Sequence, residues 1–134
     1  MREIVFCGKR TDNGEWVEGW YIHTKRHHCI ITGCIDDGYV VYGHYASDVA
    51  MYVVDPVTVG QYTGLKDKNG KRIFEGDIVD ILTENEEIGV VEYEDGGFLV
   101  SADGFCVDFH ANINGTDLEI IGNIHDNGEL MEVR

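Results

Sequence analysis

Short apolar runs rich in Val, Ile, Tyr and Phe recur along the chain, with Asn-Gly or Asp-Gly repeatedly between them. Both dipeptides accept positive φ at little cost and so favour tight hairpins, while β-branched and aromatic residues suit a pleated, half-buried surface. The pairs fall at Asn13-Gly14, Asp37-Gly38, Asn69-Gly70, Asp95-Gly96, Asp103-Gly104, Asn114-Gly115 and Asn127-Gly128. The pattern predicts strands over 2–7, 15–23, 29–35, 39–45, 51–54, 77–83, 88–93, 98–101, 105–109 and 119–124. Polar interruption of an apolar face is clearest in Ile78-Val79-Asp80-Ile81-Leu82 and Gly89-Val90-Val91-Glu92-Tyr93. No window of a dozen residues carries a 3.6-residue period. A short helical turn over 46–50, capped by Ser47, is the one helical expectation. The fold class is all-β.

The only proline, Pro56, restricts Asp55 to extended geometry and marks a joint near 56–64. Beyond it, Gly76-Asp77 leads into an Ile-Val strand, and three more strands follow on tight turns. That spacing predicts a small SH3-like barrel over 61–134, because closure removes free sheet edges in few residues. Residues 1–60 then form a β-rich N-terminal lobe.

Charge narrows the function classes. Ten Lys and Arg stand against 25 Asp and Glu, a formal net charge of −15 in 134 residues. Such a chain repels a phosphate backbone overall, so no generic DNA binding is expected. An acidic surface serves solubility, a basic protein partner, or imitation of nucleic-acid charge. No apolar run approaches the ~20 residues of a membrane span, and no signal peptide is visible, so a cytoplasmic location and no membrane partner are expected. Cys7, Cys29, Cys34 and Cys106 are then reduced thiols.

Candidate chemistry is thin. His23, His27, His28, Cys29 and Cys34 are proper zinc ligands by type. Yet Cys-x4-Cys lacks the short knuckle spacing, His27 and Cys29 face opposite His28 in a strand, and Lys25 and Arg26 oppose a cation. No metal and no cofactor are expected. Cys106 and His110 share a strand face but lie about 13 Å apart, too far for direct proton transfer. Glutamates 84, 86 and 87, and Glu92, Glu94 and Asp95, flank turns as solvated charges. No catalytic residue is identified, and the expected answer to the enzyme question is no.

Three segments carry a family resemblance. The first is Phe6-Cys7-Gly8-Lys9-Arg10 with Asp12-Asn13-Gly14-Glu15-Trp16-Val17-Glu18-Gly19, where the family usually shows Arg in place of Cys7. The second runs unbroken from Val54-Asp55-Pro56 through Gln61-Tyr62-Thr63-Gly64-Leu65-Lys66-Asp67-Lys68-Asn69-Gly70-Lys71-Arg72 to Gly76-Asp77-Ile78-Val79. The third is Ile121-Gly122-Asn123-Ile124-His125-Asp126-Asn127. Together they make the chain resemble the YopX family. The resemblance implies a phage or prophage origin and a β-rich fold with an SH3-like C-terminal part, and it implies no reaction and no ligand.

Two surfaces stand out. The 61–72 hairpin gathers Lys66, Lys68, Lys71 and Arg72, four of the ten basic residues, beside Gln61 and Tyr62. It reads either as a fold-defining turn or as a binding surface. Trp16 and Trp20 in the first lobe read either as core or as a platform for self-association, since Trp and Tyr anchor interfaces. The leading functional expectation is a non-enzymatic phage accessory protein working through contacts with a host or phage protein, with a homo-oligomer expected. The rivals are a nucleic-acid-associated SH3-like module and a small metal-dependent enzyme.

Overall fold

A computed structural model describes residues 4–32, 35–36, 39–40, 50–82, 87–102, 105–109 and 114–131. These residues form antiparallel strands joined by tight turns and short 3-10 turns, with no α-helix among them. The chain divides into two compact units, Glu3–Gln61 and Tyr62–Arg134.

In the first unit, β1 (Phe6–Lys9), β2 (Trp16–His23), β3 (His28–Thr32) and the later β6 (Ala50–Val53) form one antiparallel sheet in the order β6-β3-β2-β1. β4 (Ile35–Asp36) and β5 (Tyr39–Val40) pair with each other. The first two residues of β7 (Gly60–Lys66) extend the sheet beyond β1. Asn13-Gly14 turns β1 into β2: Gly14 takes φ +76°, and the Asn13 side chain accepts the Glu15 N–H at 2.9 Å. The joint at Pro56 is a 3-10 turn, Pro56–Thr58, capped by the Asp55 carboxylate on Val57 N–H at 3.1 Å. Thr58 then ties this turn to β1 by accepting the Lys9 N–H at 2.9 Å. Ile30 and Val54 are fully buried, with Cys7 and Cys29 beside them in burial.

In the second unit, the rest of β7 pairs with β8 (Arg72–Phe74). β9 (Asp77–Ile81), β10 (Glu87–Glu94), β11 (Gly97–Ala102), β12 (Phe105–Asp108) and β13 (Leu118–Asn123) form a sheet ordered β12-β11-β10-β9-β13. Alternation places Val79, Ile81, Val91 and Val100 on one face, where they meet Ile73 and Leu118 in the core. Burying each such side chain is worth about 1.5–3 kcal/mol. The expected barrel is not closed among the described residues. β12 and β13 end the sheet without pairing to each other, and β8, the strand before β9, pairs with β7 instead of joining this sheet.

The strand pattern was legible and its ends were not. Expected strands over 77–83, 88–93 and 98–101 appear as Asp77–Ile81, Glu87–Glu94 and Gly97–Ala102. The first strand starts at Phe6 rather than at 2, and the third ends at Thr32. Asp95-Gly96 makes its hairpin with φ +53° and +82°. Asn114-Gly115 instead opens a 3-10 turn, Gly115–Asp117, because Asp117 caps back onto Asn114 N–H. Ala50 belongs to β6, so the helical expectation fails there; 46–49, Asp37-Gly38 and Asp103-Gly104 lie outside the described residues.

Gly76 makes the turn that aims β9. Its φ is +95°, its N–H donates to Val91 O at 2.8 Å, and its carbonyl accepts from Ile124 N–H at 2.9 Å. Space is not the constraint, since an added Cβ would make only ordinary contacts, the nearest being His125 Nε2 at 3.6 Å and Ile124 Cγ1 at 3.8 Å. Conformation is, and a β-branched residue at this φ is a steric outlier. Gly76→Val is expected to lower stability by about 2–3 kcal/mol in urea melts, against under about 0.5 kcal/mol for the exposed Glu94→Gln. Equal melts would show that the turn relaxes.

Candidate interaction surfaces

The β7–β8 hairpin is built on a buried acid. Asp67 is 3% exposed, and its carboxylate accepts three backbone N–H groups: Asn69 at 2.9 Å, Lys71 at 3.0 Å and Ile120 at 3.0 Å. Burial by itself pushes the carboxyl pKa up. The hydrogen bonds from Ile120, Lys71 and Asn69, with the Lys71 charge, outweigh it and hold the carboxyl below its ordinary value. Main-chain bonds close the same turn, Asp67 N–H to Lys71 O at 2.8 Å and Gly70 N–H to Asp67 O at 3.0 Å. Lys68 N–H to Leu118 O at 3.0 Å ties the tip to β13.

With its one acid turned inward, the hairpin shows cations outward. Lys66, Lys68 and Lys71 are exposed, and Lys68 Nζ lies 3.4 Å from a Glu119 carboxylate oxygen. Arg72 is half-buried, its guanidinium 5.6 Å from the Tyr62 ring centroid. Tyr62 itself is 5% exposed and packs on Phe74, so it supports the hairpin from below instead of lying on its surface. Gln61 is half-buried in the first unit, opposite Phe6.

The first unit carries an apolar sheet face. Residues paired across antiparallel strands point to the same side. Register therefore makes two rows, Trp20–Ile31–Met51 and Ile22–Cys29–Val53. All six side chains are apolar, yet Met51 is 64% exposed, Val53 40% and Ile22 39%. The opposite face carries Tyr21–Ile30–Tyr52, with Ile30 fully buried. An antiparallel sheet with one wet face normally shows polar residues on that face; here the two rows hold none, and the histidine pair His23–His28 lies on the opposite face beside Tyr21. Trp20 is half-buried within the first row, and Trp16, also half-buried, pairs with Lys9 nearer the other end of β2.

The histidine and cysteine group does not converge. His23 and His28 stack with centroids 4.0 Å apart, and the Tyr21 hydroxyl hydrogen-bonds His28 Nδ1. Cys29 is buried on the other face, and His27 sits exposed in the turn. Cys34 and His110 lie outside the described residues, while Cys106 is exposed with its Sγ 3.9 Å from Ser101 Oγ. The C-terminal motif is a reciprocal clamp: Asn123 Oδ1 accepts from His125 and Asp126 N–H, and Asn127 Oδ1 accepts from Asn123 N–H. Its role is to hold the turn that meets Gly76.

The motifs of the hairpin, the Gly76 turn and the Asn123 clamp thus occupy the structural joints of one all-β chain, and a family model described as YopX protein matches residues 6–132. The chain belongs to the YopX protein family. A solved structure, protein EF1440 from Enterococcus faecalis, is similar to this YopX chain at 25% identity and a TM-score of 0.56. The match covers 98% of this chain and 99% of that one. No curated protein matches. No helix among the described residues is long and apolar enough to cross a membrane.

Sequence reasoning marked the lysines and Trp20 but passed over Ile22, Ile31, Met51 and Val53. The available signal was the missing polar alternation in Cys29-Ile30-Ile31 and Met51-Tyr52-Val53.

Proposed function

We propose that this chain is a non-enzymatic accessory protein of phage or prophage origin, acting by protein–protein contacts in the cytoplasm of the bacterial host. Self-association through the β2–β3–β6 face is the contact the geometry supports best. The observation that carries the reading is the pair of apolar rows, Trp20–Ile31–Met51 and Ile22–Cys29–Val53, with three of six side chains substantially exposed. Contiguous apolar surface of this kind marks an interaction site. The rows hold no charged residue, so the repulsion between chains of −15 is least there. Exposed Lys25 and Arg26, in the turn beside the rows, add cations that suit an acidic second copy.

Light scattering across concentration and salt tests the reading. The expected result is a mass above the monomer that returns to the monomer value in Met51→Asp, since a buried carboxylate on an apolar contact costs several kcal/mol. Trp20→Asp should do the same if it folds; Met51, being exposed, keeps the test independent of folding. A constant monomer mass up to high micromolar concentration refutes self-association.

A further inference from the structure

A second surface, on the other unit, points to a partner of different chemistry. Residues 61–74 hold four basic residues and a single acid, in a chain with 25 acidic residues in all. That acid, Asp67, is buried and committed to three backbone N–H groups; the Lys71 charge acts on it, but its carboxylate is not part of the surface that the lysines present. The hairpin is therefore a cationic point on a strongly anionic chain, rigidly presented by the Asp67 turn and by the tie of Lys68 N–H to β13. Lys68 already holds a carboxylate, that of Glu119, at 3.4 Å. The Lys68 side chain is 43% exposed and that of Glu119 33%, and a solvent-accessible ion pair is worth only about 0.2–1 kcal/mol, so an incoming carboxylate can take its place.

We propose that the tip of the β7–β8 hairpin, through Lys66, Lys68 and Lys71, is a docking surface for a short acidic segment of a partner protein. An extended segment of about five residues spans roughly 16 Å, which suits a hairpin tip. Duplex DNA suits it less. A duplex carries one charge per ~1.7 Å of axis, and a chain of net charge −15 opposes so long and dense a line of phosphates more than a short acidic segment. This surface is separate from the apolar face and goes beyond self-association.

The test is an amide NMR titration of the full chain with an octaglutamate peptide and, separately, with a duplex of roughly 20 base pairs. Expected are saturable shifts at residues 66–71 with the peptide, weakened at least about tenfold in Lys66→Glu with Lys71→Glu and more than the duplex can match in the unaltered chain. Lys66→Gln with Lys71→Gln, which adds no charge, should weaken binding less and keep the same urea midpoint. An unchanged mass by light scattering in the Glu variant would separate this contact from self-association. No saturable shifts, or shifts indifferent to the charge reversal, overturn the proposal. Tighter binding of the duplex than of the peptide replaces it with nucleic-acid docking.

Discussion

Gly19→Ala is expected to destabilise the first unit by about 3 kcal/mol or more, because the new methyl group has nowhere to go. A Cβ built on Gly19 overlaps the carbonyl oxygen of Ile31 and comes within 2.9 Å of its carbonyl carbon. Both are backbone atoms, so no rotamer change relieves the clash; β2 and β3 must move apart. The position explains the crowding. Residues 16–19 of β2 pair with β1 and residues 20–23 pair with β3, so Gly19 stands where β2 passes from one partner to the other. Separation there would loosen the Trp20–Ile31 and Tyr21–Ile30 pairs that follow it. Urea unfolding followed by Trp fluorescence reports this, since both Trp residues lie on β2. A midpoint within error of the unaltered chain would mean that the sheet opens at Gly19 without cost.

Asp67→Ala should cost about 3 kcal/mol in the second unit. It leaves the N–H groups of Asn69, Lys71 and Ile120 without their acceptor, and the last of these reaches across from β13. Water can restore some of those bonds at the tip but not all, which keeps the figure below the sum of three full penalties. The pH dependence gives an independent check. Because the folded-state pKa of Asp67 lies below its ordinary value, the carboxylate contributes stability above the unfolded pKa, about 3.9. That contribution disappears as pH falls through the folded value. Stability of the unaltered chain should therefore fall more steeply below about pH 4 than that of Asp67→Asn. Parallel acid profiles for the two proteins would remove Asp67 from this role.

Asp67 also shows where sequence reading stopped. Gln61–Arg72 was readable as strand, tip and return because Asn69-Gly70 demands positive φ, and Gly70 does take φ +81°. What Asp67 does was not readable, because Ile120, one of its three donors, lies 53 residues away. The same holds for Tyr62. The binding-surface reading of the hairpin placed it on the surface, but a bulged register with β8 sets it opposite Phe74 and it is buried, which fits the fold-defining reading at this position.

By itself the sequence determined the all-β class, most strand centres, the family and the charge. Those rest on local chemistry: turn dipeptides, β-branched runs and ionisable side chains act on their near neighbours. Tertiary structure alone decided that the second sheet stays open, that Ile22 and Val53 share a face with Cys29, and that the hairpin's acid turns inward while its lysines do not. Each of these depends on which strand lies beside which. Cross-strand register places side chains by pairing between distant segments, and one slip of a residue would move every one of them to the opposite face.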